Sequence, residues 1–235
     1  MGERRTWEEL AVAVAEMSRT LLAQPSVQST LDEIVRHAVS LVEGCENAGV
    51  LVLEGRESVR TLAASSDLVH QSDKAQEEAG EGPCFDAART LHEAYRIEDL
   101  TTSESRWPRY APRARELGVG SMMGFLLFTE EGTLGALDMY SSRPGVFTAG
   151  SENTGWILAS HAAVAFSSAR STAQLHTAME TRNEIGEALG IIMERFKVSE
   201  DQAFEVLKKS SQDQNIKLRQ VAHAVVTTGR IPGAR

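Results

Sequence analysis

Apolar residues recur at steps of three and four in two stretches near the N-terminus. Leu10, Val14, Met17 and Leu21 make one stripe within residues 6–22, where Thr6 and Glu9 are spaced as a capping box. Val27, Leu31, Ile34, Val35, Ala38 and Leu41 make a second stripe after Pro25. The period then shortens: 48–53 and 59–64 are β-rich runs joined by EGRES, a hairpin pattern. Residues 65–81 are polar, with one short helix through Gln76, and read as a long loop. Residues 95–97 suggest a short strand and 107–117 a short helix. A second hairpin, 121–128 and 133–140, turns at EEG, and its first strand is apolar enough to be buried on both faces.

From Thr148 one helical pattern runs to Phe196. Ile157, Ala162, Val164, Ala165 and Phe166 are apolar nearly all round, as for a helix laid on a sheet. Further on the pattern narrows to Leu175, Ala178, Arg182, Ile185, Leu189, Ile192 and Phe196, a coiled-coil seam with one charge, which predicts a parallel homodimer. Two short helices follow. Ser199 and Gln202 form a capping box before Ala203, Phe204 and Leu207, and Val198 is placed to staple onto Ala203. After QDQN, residues 217–227 place Leu218, Val221, Ala222 and Val225 inward.

The pattern therefore predicts an α+β body over residues 1–170 and a helical tail over 171–235. Charge sharpens this division. Of a net −9, residues 1–169 hold 14 Lys+Arg against 25 Asp+Glu, and 170–235 hold 10 against 8. A polyanionic partner would meet the tail. The chain has no apolar run of about 18 residues and no signal-peptide core at MGERRTWEEL, so a cytoplasmic protein is expected. Cys45 and Cys84 make neither a disulfide framework nor a zinc set, and His70, His92 and His161 lack metal-type spacing. No cofactor is implied. Gly80 and Gly82 are wrongly spaced for a phosphate loop.

Three separated features of the tail resemble the ANTAR domain, the RNA-binding module of transcription antitermination regulators. They are Ala188, Gly190 and Met193 as AxGxxM; SEDQAF at 199–204; and Asn215, Lys217, Leu218, Val221 and Ala222 as NxKLxxVA. Leu189 stands where that family often carries Lys, and its place on the seam suggests packing. The resemblance implies binding of paired stem-loops in nascent mRNA, through Gly190, Met193, Arg195, Lys208, Lys209, Asn215, Lys217 and Arg219. Read from the residues alone, Lys208, Lys209, Lys217, Arg219 and Arg230 could equally be a solvated face. Lys209 and Arg219 lie nearly opposite the apolar centres of their helices, free to reach phosphates.

The body resembles a GAF domain of the kind fused to ANTAR tails in actinobacteria. The carrying residues are GEGPC at 80–84, Asp86 and Ala87, RWP at 106–108, ELGV at 116–119 and LGALDMYS at 134–141. That resemblance implies an antiparallel sheet flanked by helices and a pocket for a small molecule, or a surface for a partner protein. The pocket candidates are Pro83, Cys84, Met123, Phe125 and Asp138, with the 65–84 loop as lid. Met122, Met123 and Phe125 would keep it small. Asp138 either bonds a ligand or is a structural carboxylate. Cys84 reads as a structural thiol, a redox thiol or a tetrapyrrole attachment point. Two rival functions remain: a protein-interaction adaptor assembled by the coiled coil, and a thiol oxidoreductase using Cys84, with Cys45 as the sole candidate resolving thiol.

Overall fold

The computed structural model describes residues 7–54, 58–83, 86, 94–100, 106–129 and 132–233. The chain divides into two compact units, residues 1–170 and 171–235. In the first, β1 (Asn47–Glu54), β2 (Ser58–Ala64), β3 (Ala94–Ile97), β4 (Ser121–Thr129) and β5 (Gly132–Ser141) form one antiparallel sheet ordered β2-β1-β5-β4-β3. Both expected hairpins are present. Val52 pairs with Arg60 in one and Phe125 with Leu137 in the other. Residues 121–127 are all buried, because β4 lies between β5 and β3 with helices over both faces.

Strand alternation sorts the core into two layers. Val50, Met123, Phe125, Leu127, Leu137 and Met139 meet α1 (Trp7–Leu22), α2 (Val27–Leu41) and the first turns of α5 (Ala149–Phe196). Met17, Leu21, Leu31, Ile34, Ala162 and Phe166 fill that layer. Gly155 lets α5 approach the sheet closely, since a Cβ there would lie 2.4 Å from the Phe125 ring. Trp156 meets the same ring edge-on at 5.3 Å. Val164, expected inside, is 61% exposed. Ser26 and Ser29 cap α2 reciprocally, as do Thr148 and Ser151 at the start of α5. The Thr6 cap expected for α1 lies outside the described residues.

The opposite layer carries a correction. Residues 65–81 are not a long loop: Asp67–Ala79 is a helix, α3, packed on the sheet. Its buried positions are Val69, Ser72, Asp73, Ala75, Gln76 and Ala79. Half of these are polar, so apolar periodicity could not reveal the stripe. Gly80, at φ +64°, closes the helix in the left-handed conformation that glycine adopts without strain. α4 (Tyr110–Glu116) lies beside α3, and Tyr110, Ala111 and Ala114 join Met122 and Tyr140.

The second unit closes around its own core. Ala188, Leu189 and Ile192 of α5 pack with Ala203 and Leu207 of α6 (Glu200–Gln214), and with Val221, Ala222 and Val225 of α7 (Leu218–Thr228). The Ser199–Gln202 capping box starts α6, and Val198 packs on the cluster that holds Ala203. Phe204, expected inward, is 39% exposed; Ser210 is buried and donates to the Pro232 carbonyl at 2.7 Å.

Candidate functional site

The seam proves to have two parts. Leu175, Ala178 and Arg182 are exposed, Leu175 by 66%. Ile185 is half-buried, whereas Leu189 and Ile192 are consumed by the tail's own core, and Phe196 is exposed. A second helix could therefore pack only on the upper part without dismantling the bundle. The side-chain period is the same throughout, so the sequence could not show where one use gives way to the other.

The eight residues expected to meet RNA also separate. Arg195 donates to the Gly229 carbonyl at 2.5 Å, tying α5 to the end of α7, and its guanidinium lies over the Phe196 ring. Asn215 ends α6 at φ +52°, the left-handed position that asparagine tolerates better than most residues. Met193 is half-buried against the bundle core. Gly190 is exposed, and a Cβ there would meet nothing within 4 Å. Lys208, Lys209, Lys217 and Arg219 are exposed. Lys208 pairs with Glu205 at 3.2 Å; among the described residues no ion pair holds Lys209, Lys217 or Arg219.

Charge divides the tail along the same line. Residues 180–205 hold 3 Lys+Arg against 7 Asp+Glu, and residues 206–230 hold 5 against 1. The acidic half includes the Gly190 stretch, flanked by Glu187 and Glu194. The later half of α6 and the start of α7 carry the tail's excess of positive charge.

On the first unit the expected pocket residues fall on two faces. Met123 and Phe125 belong to the layer under α1, α2 and α5. Asp138 lies on the other face, fully buried on β5 between Gly49 of β1 and Gly124 of β4. Val69 covers Gly49 and the Tyr95 ring covers Gly124; a Cβ at either glycine would come within 2.4 Å of them. Met122, not Met123, shares the face of Asp138. Because β4 is apolar on both faces, its residue pattern holds no sign of which side chains turn which way. Pro83 is buried; Cys84 lies outside the described residues.

Sequence reasoning missed a polar cluster on that face. Asp73 of α3 is buried, accepting from Thr61 Oγ1 at 2.6 Å and from Tyr140 Oη at 3.2 Å. Burial pushes its carboxyl up to about 6, against the two hydrogen bonds that pull it down. Ser72 and the Tyr110 hydroxyl lie 2.8 Å apart nearby. A polar stripe spaced i, i+1, i+4, as in Ser72, Asp73 and Gln76, was the available signal.

The short motifs act as clamps. Glu81 Oε1 accepts from the backbone N–H groups of Arg109 at 2.5 Å and Tyr110 at 3.1 Å. Asp86 Oδ2 accepts from Trp107 Nε1 at 3.0 Å and Arg106 Nε at 3.3 Å. Both carboxylates tie the segment after α3 to the one before α4. Cys45 is buried beneath the sheet, and desolvation pushes its thiol up to about 12, which makes it a poor resolving thiol. Among the described residues no group of three His, Cys, Asp or Glu could hold a metal, and no helix is long and apolar enough to cross a membrane.

The GAF domain family model matches residues 24–167, and the ANTAR domain model matches residues 173–226. Among solved structures, the fold is similar to the GAF domain of an Acinetobacter phosphoenolpyruvate-protein phosphotransferase, at 13% identity and TM-score 0.52 over 71% of this chain and 97% of that one. It is also similar to free methionine-R-sulfoxide reductase from Neisseria meningitidis, solved in complex with its substrate, at 12% identity and TM-score 0.54 over 73% and 96%. The chromophore-binding domain of a bacteriophytochrome from R. palustris aligns at 11% identity and TM-score 0.56 over 73% and 64%. Identities this low speak to fold alone. No curated protein matches the chain.

Proposed function

The chain belongs to the GAF domain family and carries an ANTAR domain, and on that premise we propose that it is a signal-responsive antitermination regulator acting as a homodimer. GAF domains are sensors, and ANTAR domains are RNA-binding modules of antitermination regulators. The sensor unit receives a small molecule or a partner protein. The exposed part of the seam, from Leu175 to Arg182, pairs two copies. Two tails then hold two paired stem-loops of a nascent mRNA and keep a terminator from forming. Linking the tails makes the second contact intramolecular, which raises its effective concentration.

One observation carries this reading: Lys209, Lys217 and Arg219, which no ion pair holds among the described residues, fall in the net-positive stretch 206–230, outside a core that is already closed. Such cations serve no packing role and suit phosphate. Sequencing the RNA that co-purifies with the full chain tests it. Enrichment of paired hairpins upstream of terminators is the expected result. Recovery of bulk ribosomal and transfer RNA in proportion to abundance would remove it.

A further inference from the structure

The tail contains two aromatic side chains, Phe196 and Phe204, and no Trp or Tyr. Its buried core is wholly aliphatic, and both rings stand outside it, exposed by 53% and 39%. Both rings are therefore accessible to a partner without disturbing the closed core. The two rings differ in what covers them. The Arg195 guanidinium lies 5.6 Å over Phe196 and is itself held by the Gly229 carbonyl. No cation lies over Phe204 among the described residues.

Phe204 stands where the tail changes sign. Glu200 and Asp201 precede it by one turn, at the helix N-terminus that favours acidic groups. Lys208 follows by four residues and so stands beside the ring on the helix surface, with Glu205 paired to it at 3.2 Å. Lys209 follows, and beyond the turn Lys217 and Arg219 are exposed. An exposed ring with a cation beside it on the same helix suits a partner that is flat, aromatic and linked to phosphate.

We propose that Phe204 is the platform on which one unpaired base of the hairpin loop stacks, with Lys208 reaching the adjacent phosphate. The inference rests on the RNA reading above and adds the part of the RNA that is recognised. RNA loops present unstacked bases, and stacking on an aromatic side chain tolerates any base because each has a π-face. Stem phosphates would meet Lys209, Lys217 and Arg219, and the loop would meet Phe204.

The test uses full-length protein and hairpins selected by the wild-type chain from a pool with a fixed stem and randomised loop. Phe204→Leu keeps an apolar side chain of similar volume and removes the π-face; Phe204→Trp keeps the face. Loss of a base stack should weaken binding roughly ten- to hundredfold in Phe204→Leu, while Phe204→Trp binds like wild type. The Leu variant should also lose discrimination against hairpins with abasic loops, with an unchanged salt slope, since every stem phosphate keeps its cation. An unaltered tail melting transition excludes misfolding. Equal affinity and equal loop discrimination in Phe204→Leu would overturn the stacking role and leave the RNA reading intact. A change in molecular mass of that variant would overturn it too, and would make the ring an interface between copies. A selection that yields no hairpin preference would overturn both readings together.

Discussion

The hydroxyl of Tyr140, in the middle strand of the sheet, donates to the buried carboxyl of Asp73 on α3 at 3.2 Å. A group whose folded pKa, about 6, lies above its ordinary value of 3.8 binds its proton more tightly in the folded chain. The stability it adds is fully present below about pH 4 and is lost as pH rises through about 6. Asp73→Asn removes the charge, so at pH 8 it should stabilise the sensor unit by on the order of 1–3 kcal/mol. At pH 4 it should change little. Urea titrations at both pH values check this, and an equal effect at the two would refute it.

Dimer formation is expected through the upper seam alone. Leu175→Glu places like charges in the pairing surface without touching the tail's core. It should convert the dimer to a monomer in sedimentation while the tail melts unchanged. Leu189→Ala acts on the other part, costing the tail about 2–4 kcal/mol through the cavity it opens. A Leu175→Glu chain that kept dimeric mass would move the interface off this helix.

Phosphate binding is read from salt dependence. Replacing Lys209 and Arg219 with Ala leaves Leu207, Val221 and Val225 in place, so the tail stays folded. Each cation removed from a phosphate flattens the slope of log affinity against log salt by about 0.7–0.9 units. Two such cations in each of two tails make the change roughly 3 units on a two-hairpin RNA. Loop preference should survive, since phosphate contacts position and base contacts specify. An unchanged slope in the folded double variant would place the RNA elsewhere.

Asn215 separates a cap from a contact. Glycine adopts its φ of +52° freely, whereas alanine does so at a cost of about 1 kcal/mol. Asn215→Gly should therefore keep both tail stability and RNA affinity, and Asn215→Ala should lose stability alone. Equal loss of affinity in both variants would restore the side chain as an RNA contact.

How much of this was legible depended on whether one face of an element differed from the other. α2 alternates apolar and polar residues at helical spacing, and its stripe lies in the core as read. β1 and β2 were found by their β-branched runs and the turn between them. α3 was missed because Ser72, Asp73 and Gln76 are the residues it buries, and burial of polar groups leaves no apolar period. The expected pocket mixed two layers because every residue from Ser121 to Leu127 is buried, so alternation carried no sign. Leu189 and Ile192 obeyed the seam spacing yet serve the bundle, because one helix face can meet its own chain or another with the same side chains. Phe204 lies three residues before Leu207, at the margin of the stripe, and only the packed bundle shows that it stays out.

The tail, which has no Trp or Tyr, adds no indole or phenol fluorescence. Trp7, Trp107 and Trp156, with Tyr95, Tyr110 and Tyr140, all precede residue 171. Intrinsic fluorescence therefore follows the sensor unit alone, while far-ultraviolet dichroism follows the helices of both. Comparing the two signals in one unlabelled sample separates the unfolding of sensor and tail, and shows directly whether a signal bound by one is felt as stability in the other.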